Sequence, residues 1–394
     1  MIFPRESSAE YAMELDEAIS VAREISSGVV AADADGVDRE ARWPRAGLRA
    51  LLEGNLGGLV VPREHGGLGL GMSGLLRVCE ELGQECGSTS LCFGMHAVGS
   101  AVIAAKATRE QRAAYLEPIV RGEHLTTLAL SEPGTGAHFQ FPQTRIEPTE
   151  AGYRVCGTKS FVTNGSKADS YVVSGIVPGL ESDGQRFSCL LLRGDCPGLS
   201  WQEPWNGFGM RGNSSRTAVI EDAEVPRENL LGEQGDQLWY VFQVVAPYFL
   251  TAMTGTYVGI ASVALELARA SIADRTYDHS GEALSRSDVM QHDLGELWAQ
   301  VERTRRLAYF AAEEADRGGP RALPAVLVAK GEAADCAVQA TDAAMALMGG
   351  RAYANGGRLP RFLRDARAAH VMAPTTQLVR LWCGRYLLEQ PLLS

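Results

Sequence analysis

The stretch LTTLALSEPGTGA (residues 125–137) and the stretch KSFVTNG (residues 159–165) lie in the region that decides the fold of this chain. Throughout residues 125–231, short β-branched or alternating segments are separated by Gly, Pro, Asn and Asp. This spacing is typical of an antiparallel sheet or barrel, because short strands need residues that permit sharp turns between them. The centre of the chain is therefore predicted to be a β-domain.

Both flanks of this region have the periodicity of helices. AEYAMELDEAISVAREI (residues 9–25) and DVMQHDLGELWAQVERTRRLAYFAAEEAD (residues 288–316) place apolar residues three and four positions apart. The long downstream segments suit a four-helix bundle. The predicted fold class is therefore α+β and mostly α, with an N-terminal all-helical domain at 1–123, a middle β-barrel or sandwich at 124–234 and a C-terminal four-helix bundle at 235–394.

Composition excludes several classes of partner. The chain has 394 residues, 45% of them hydrophobic, and a formal net charge of -11, so it has no basic surplus with which to bind nucleic acid or an anionic membrane. Its eight cysteines form no CxxC motif and lie mostly in apolar segments. The sequence therefore predicts reduced, buried thiols, no metal site and a cytoplasmic location.

Two segments allow more than one interpretation. Residues 241–265 carry no charge and are long enough to span a bilayer, but they include Gln243 and Pro247, and a fully buried core helix explains them equally well. GLGMSG (residues 69–74) fits the G-x-G-x-x-G fingerprint, although a proline and charges precede it where a strand should end. We interpret it as an inter-helix loop leading into a helix, and we predict no membrane span.

Five collinear motifs identify a family. Besides LALSEPGTGA and KSFVTNG, the chain contains GMRGNSSRTAVIEDAEVPRENLLG (residues 209–232), MGGRAY (residues 348–353) and RDARAAHVMAPTTQ (residues 364–377). In this order and spacing they resemble the acyl-CoA dehydrogenase family, from about Val60 to the C-terminus. The resemblance implies an FAD-dependent oxidoreductase that forms a homodimer or homotetramer with FAD at the subunit interface. It also implies a small-molecule or acyl-thioester substrate and an electron-transfer or flavin reductase partner.

The resemblance also assigns the FAD contacts. Backbone N–H groups and hydroxyls of a tight turn can hydrogen-bond the isoalloxazine ring and tune its potential, and a guanidinium suits the pyrophosphate. A Gly/Pro turn, an ordinary strand and a helix-terminal arginine are the structural alternatives. The implied contacts are Leu128, Leu130, Ser131, Gly136 and Ala137 at the ring, Phe161, Val162 and Thr163 on its other side, Arg275, Gln291, Gly349 and Gly350 at the phosphates, and Thr375 and Gln377 on the last helix.

The catalytic positions depart from the family pattern. The glutamate that removes the α-proton usually follows RDA, but Ala373 occupies that position here, and no carboxylate lies between Asp236 and Glu266 to replace it. The backbone N–H of Ala373 could still polarise a thioester carbonyl. His370 and His96 are candidate bases, each with a structural alternative: a partly exposed helix histidine and a hydrogen-bonded core histidine.

Three functions stay open at this level. The first is oxidation of the α,β carbons of an acyl thioester, bound to CoA or a carrier protein, with the base at a non-standard position. The second is a reduced-flavin-dependent monooxygenase or another flavin reaction that needs no such base. The third is a non-catalytic subunit of a hetero-oligomeric dehydrogenase.

Overall fold

A computed structural model describes residues 9–136, 138, 141–179, 187–354 and 357–393. Its first part is helical, as predicted, and packs around α5, whose residues are buried on nearly every side. Helix α5 contacts the fourth helix, the first strand and the long helix Ala246–Ala273 of the third part. The helices of the first part are α1 (Ala9–Ile25), α2 (Ala31–Arg39), α3 (Arg45–Glu53), α4 (Gly71–Gly83), α5 (Gly87–Ala105), α6 (Arg109–Gln111) and α7 (Glu117–Val120).

The middle part consists of two four-stranded sheets, in the orders β1-β4-β5-β8 and β2-β3-β7-β6. Side chains of both sheets, such as Val155, Leu190 and Ile220, form one shared core, which is the arrangement of a sandwich. The strands are β1 (Thr126–Ala129), β2 (Arg145–Pro148), β3 (Gly152–Val162), β4 (Ser170–Gly175), β5 (Ser188–Arg193), β6 (Leu199–Trp201), β7 (Arg216–Pro226) and β8 (Leu230–Leu231).

One pairing differs from the predicted antiparallel pattern, because β1 and β4 run parallel. The chain between these two strands passes through β2 and β3 of the other sheet, so it makes a crossover instead of a hairpin. The other paired strands are antiparallel.

The third part is a helical bundle in which α9, α10 and α11 pack against one another and α13 and α14 pack against α11. The predicted fold class, helices then β-domain then helical bundle, is confirmed; the domain limits themselves stay a prediction. The helices of this part are α8 (Gln237–Tyr240), α9 (Ala246–Ala273), α10 (Asp288–Arg317), α11 (Ala322–Met348), α12 (Gly350–Tyr353), α13 (Arg358–Val371) and α14 (Thr376–Leu387).

The two ambiguous segments of the sequence now have a structure. Two helical stretches, Gly87–Ala105 and Leu238–Ala273, are long and apolar enough to cross a bilayer, but 94% and 89% of their apolar windows are buried inside the chain. Such burial favours the core-helix interpretation. Gly71 begins α4, and the backbone N–H groups of Met72 and Ser73 donate to the Asp316 carboxylate at 2.8 and 2.9 Å. A carboxylate of the chain thus occupies this helix N-terminus, and the inter-helix loop is confirmed.

Candidate functional site

The motifs LALSEPGTGA and KSFVTNG lie side by side in the structure. The backbone N–H of Ser160 donates to the carbonyl of Ser131 at 2.9 Å, and the Thr127 hydroxyl donates to the carbonyl of Thr163 at 3.0 Å. Leu128 is buried, while Leu130 and Ser131 are half-buried. The turn after β1 and the end of β3 therefore form one wall, which we call the flavin wall (residues 128–136 and 160–163).

A buried ion pair lies directly beneath this wall. Lys159 Nζ is 2.5 Å from Glu132 Oε1, and the Thr144 hydroxyl donates to the same oxygen at 2.7 Å. Burial alone would raise the pKa of Glu132, but the charge and hydrogen bond of Lys159 lower it, so the carboxylate stays ionised. The pair fixes the turn of LALSEPGTGA to β3. Sequence reasoning missed it, although both residues stand inside the quoted motifs.

Two polar atoms in or beside the flavin wall lack a hydrogen-bond partner among the described residues. Ser160 Oγ and Trp205 Nε1 are buried and make no hydrogen bond to any described residue. Phe161 is 70% exposed with φ at 54°, and its ring meets Trp205 edge-on at 6.4 Å, while Val162 and Thr163 are buried. No atom of the described residues lies within 4 Å of a side-chain carbon built on Gly136. A planar ligand rich in hydrogen-bonding atoms, such as the isoalloxazine ring, fits these features. Ala137 lies outside the described residues.

A second group of predicted FAD contacts meets at the end of α11. Half-buried Arg275 donates through Nη1 to the carbonyl of Met348 at 3.2 Å, next to Gly349, and Gly350 has open space around it. Gln291 is exposed and its amide donates to the carbonyl of Ser285 at 2.8 Å. Among the described residues, no hydrogen bond joins this group to the flavin wall.

Thr375 and Gln377 occupy the start of α14. Thr375 is the N-cap residue, and its hydroxyl accepts a hydrogen bond from the backbone N–H of Leu378 at 3.3 Å. Gln377 is exposed, as is Ala373 four residues earlier. The hydroxyl of Thr375 therefore has a structural role beside the cofactor contact that the resemblance implies.

His96 has the environment of a core histidine. Its Nδ1 accepts from the backbone N–H of Thr126 at 3.2 Å, so its Nε2 carries the proton and donates to the carbonyl of Gly57 at 3.0 Å. The side chain is fully buried, and desolvation lowers its pKa to about 4. Because both ring nitrogens are engaged by the backbone, this geometry favours the structural alternative.

An uncharged cavity of about 510 Å³ lies between the helical parts. It is lined by Met72 of α4, Pro247 of α9, Leu323 and Val326 of α11, and residues near them, and none of the lining residues described carries a charge. Pro247 belongs to APYFL (residues 246–250), which replaces the acid–arginine pair that members of the resembled family commonly use. The cavity thus reaches the segment where the resemblance places the thioester.

His370 lies away from this cavity. Its Nε2 is 3.1 Å from Asp335 Oδ1, and Arg380 binds the other carboxylate oxygen. Asp335 is nine residues from Val326 along α11, about two and a half turns, so the two point from opposite faces of that helix. This placement favours the partly exposed structural histidine. Lys330 lies one turn after Val326 on α11, its Nζ donates to the carbonyls of Ala369 and Pro374, and sequence reasoning did not select it.

One exposed cluster has the spacing of metal ligands. His292, Asp293 and Glu296 of α10 bring one ligand atom each within 4.8 Å of the others. Exposed acidic groups commonly show this spacing without binding an ion, and nothing else among the described residues links the cluster to the flavin wall.

Comparisons with known proteins define the class and the family. Family models of the acyl-CoA dehydrogenase N-terminal, middle and C-terminal domains match residues 13–123, 127–223 and 249–388. The chain is an acyl-CoA dehydrogenase-like flavoenzyme, and it belongs to the acyl-CoA dehydrogenase family, whose members oxidise acyl-CoA or carrier-protein thioesters with FAD.

Three proteins show how far the similarity in sequence and fold extends. It is 28% identical over 367 residues to the probable acyl-CoA dehydrogenase YngJ of Bacillus subtilis, covering 91% of this chain and 94% of that protein. Butyryl-CoA dehydrogenase from Megasphaera elsdenii has the same fold, with a TM-score of 0.90 at 23% identity over 98% of this chain and all of that one. The prolyl acyl carrier protein oxidase AnaB has a TM-score of 0.83 at 22% identity, covering 97% of this chain and 100% of that one.

Proposed function

We propose that this chain oxidises the α,β carbons of an acyl thioester by using FAD bound at the flavin wall, with no glutamate at the usual position and with the α-proton passing to a base at a non-standard position. The observation that supports this most directly is the flavin wall itself. The two motifs are hydrogen-bonded to each other, and the buried Ser160 Oγ and Trp205 Nε1 make no hydrogen bond to any described residue. A wall of this kind has little structural reason to leave Ser160 Oγ and Trp205 Nε1 without partners unless a ligand completes it.

Different residues of the flavin wall would make different contacts with the cofactor. Ser131 and the backbone of the turn at Gly136 would hydrogen-bond the ring, while Phe161, Val162 and Thr163 would cover its other side. FAD supplies the hydride acceptor that no side chain can provide. The buried pair of Lys159 and Glu132 keeps this wall in place before the cofactor binds.

The substrate would enter through the uncharged cavity. Its lining suits an acyl chain and the neutral arm of a pantetheine, but it offers no charge for the nucleotide of CoA. APYFL (residues 246–250) replaces the usual acid–arginine pair, and AnaB, a protein with the same fold, is a prolyl acyl carrier protein oxidase. These observations favour a carrier-bound thioester over a CoA ester. The exposed backbone N–H of Ala373 would donate to the thioester carbonyl.

A second candidate is a flavin reaction that needs no α-proton base. The observation that favours it is Ala373, because the position of the base is filled by a methyl group and neither His96 nor His370 faces the cavity. In that case the chain would receive reduced flavin from a reductase partner. A non-catalytic subunit within a hetero-oligomer is the remaining alternative.

We further propose that the chain works as a homodimer or homotetramer in the cytoplasm. Arg275 and Gly349 lie together at one end of the bundle without a hydrogen bond to the flavin wall, as expected if they serve the FAD of a neighbouring subunit. Helix α10 presents Val289 and Trp298, 64% and 60% exposed, which a subunit contact would cover. An electron-transfer protein would reoxidise the flavin.

Anaerobic mixing of the FAD-loaded protein with a panel of acyl thioesters tests this proposal. Each acyl group is presented both on CoA and on a carrier protein, and the flavin absorbance is followed. Bleaching by a thioester supports the proposal, and a preference for the carrier-bound form supports the assignment of the cavity. If no thioester bleaches the flavin while the reduced protein consumes oxygen, the proposal is wrong and the second candidate is favoured.

A further inference from the structure

Lys330 is buried beside the exposed Ala373 without a carboxylate in contact. It is 1% exposed, and its Nζ donates to the carbonyls of Ala369 and Pro374, each at 3.0 Å. These two carbonyls lie on either side of Ala373 in the chain. Among the described residues, no carboxylate lies within ion-pair distance of this amine.

The carbonyl of Ala369 is the group that Ala373 would need in order to continue the helix. In an α-helix the N–H of a residue donates to the carbonyl four positions earlier. Met372 still does so, to the carbonyl of Ala368 at 2.9 Å. The next carbonyl, that of Ala369, instead accepts from Lys330 and, at 3.4 Å, from the Thr376 hydroxyl.

The N–H of Ala373 therefore does not donate to the carbonyl of Ala369. In the part of the chain that the structure describes, it makes no backbone hydrogen bond, and the residue is exposed. Pro374 follows it and has no N–H to compete for an incoming carbonyl. An exposed donor on a backbone anchored at both sides has the form of an oxyanion-type site.

We propose that Lys330 is a positioning residue that, by binding the carbonyls of Ala369 and Pro374, keeps the Ala373 N–H directed at the thioester carbonyl. This role rests on the proposed function. Lys330 acts through the backbone, and its donors are already engaged with the two carbonyls. It therefore orients the group that polarises the substrate and does not itself remove the proton.

The charge of Lys330 adds a signature that a purely structural residue would lack. Burial lowers its pKa to about 8, against the attraction of Asp335 on the same helix, which is itself bound by His370 of α13 and Arg380 of α14. The amine is therefore mostly charged at neutral pH. It loses its charge, and with it the strength of both hydrogen bonds, as the pH rises through about 8.

Two variants and one control test the inference in FAD-loaded protein. Lys330→Met removes both donors, Lys330→Gln keeps an uncharged pair of donors on a shorter side chain, and exposed Lys167→Met is the matched control. The substrate is the thioester that bleaches the wild type, isotopically labelled at its carbonyl. Its carbonyl stretching frequency is measured by infrared difference spectroscopy, together with kcat and KM.

We expect Lys330→Met to lower kcat by about tenfold or more, with a small change in KM and unchanged FAD content, since the interaction strengthens in the transition state. Its bound carbonyl should shift back toward the frequency in water, and Lys330→Gln should restore part of the shift. In the wild type the shift should weaken as the pH rises through about 8. The wild-type profile needs no variant, so it tests the inference even if Lys330→Met does not fold.

The failures are distinguishable. If no thioester bleaches the wild type, the proposed function is wrong and the role of Lys330 falls with it. If the wild type is bleached but its carbonyl frequency is insensitive to pH, or if Lys330→Met and Lys330→Gln match it in kcat and frequency, only the role of Lys330 is wrong.

Discussion

Two of the lysines in this chain, Lys159 and Lys330, are completely or almost completely buried, yet their surroundings differ. Lys159 lies beneath the flavin wall with the Glu132 carboxylate 2.5 Å away. Lys330 lies beside Ala373, and among the described residues its ammonium group donates only to backbone carbonyls. Burial lowers the pKa of both lysines, but the charge and hydrogen bond of Glu132 oppose this at Lys159, whereas Lys330, without a carboxylate in contact, has a pKa of about 8. In the proposed site, the cofactor end would therefore be held by a charge pair, and the thioester end by a group sensitive to pH.

The largest expected effect comes from breaking the complete pair. Glu132→Ala leaves the Lys159 ammonium buried without its carboxylate, so we expect a loss of about 3–5 kcal/mol in the free energy of unfolding. Urea unfolding at neutral pH measures it. The double variant Glu132→Leu/Lys159→Met removes both charges and should recover most of the loss. Equal losses in the single and double variants would show that packing, and not the unpaired charge, dominates.

His96 gives the next effect, and it depends on pH. The folded state keeps His96 neutral down to about pH 4, whereas the unfolded chain takes up a proton near its ordinary pKa of about 6.5. The unfolded state binds more protons between these values, so the stability falls as the pH falls through this window, by about 3 kcal/mol in all. His96→Gln should lack this part of the acid dependence.

Exposed His292→Gln serves as the control for the His96 experiment, because His292 is in solvent and bound to Asp293. It should leave the stability difference between pH 6.5 and pH 4 close to that of the wild type. A wild type whose stability is flat across this window would contradict the buried, neutral state of His96.

A smaller effect sharpens the contrast between the two lysines. Lys330→Met loses two hydrogen bonds and should cost about 2 kcal/mol in stability at neutral pH. The pKa of Lys330 is lowered in the folded state, so the cost of burying its charge is relieved as the pH rises above about 8. The stability advantage of the wild type over Lys330→Met should therefore grow on the alkaline side, and a constant difference would contradict the unpaired charge.

The smallest expected effect concerns the open face of the flavin wall. Phe161→Ala should weaken FAD binding by about tenfold, since an exposed ring that the cofactor would cover is removed, while the free energy of unfolding of the apoprotein hardly changes. Phe310→Ala on α10 is a matched control, 44% exposed in the wild type, and should leave FAD binding unchanged. Fluorescence titration of the apoprotein with FAD measures both.

The sequence predicted the order of the three parts and the segments of the flavin wall because periodicity and collinear motifs are local properties. The backbone N–H of Ser160 and the carbonyl of Ser131 join the two motifs, while the FAD contacts themselves stay a prediction. The parallel pairing of β1 and β4 could not be predicted, since it depends on a crossover through the other sheet. The hydrogen bonds of Lys330 could not be predicted for a similar reason, because its partners lie 39 and 44 positions away along the chain.

His96 and His370 show the opposite limit of sequence reasoning. A histidine in a helix offers two nitrogens, and only the fold reveals that Gly57 and Thr126 engage both of them in His96, and that Asp335 turns His370 to the far face of α11. Residue type and spacing thus identified candidates but could not identify their surroundings.

The central claim, that the cofactor end is complete while the usual proton acceptor is missing, is tested most directly by Ala373→Glu. Stopped-flow measurement compares the rate of flavin bleaching by the active thioester in the wild type and in this variant. The account predicts equal FAD content and a faster reduction in Ala373→Glu, since a positioned base contributes about 10²-fold or more. An unchanged or slower rate at full FAD occupancy would contradict it, because the glutamate would then not be what the site lacks.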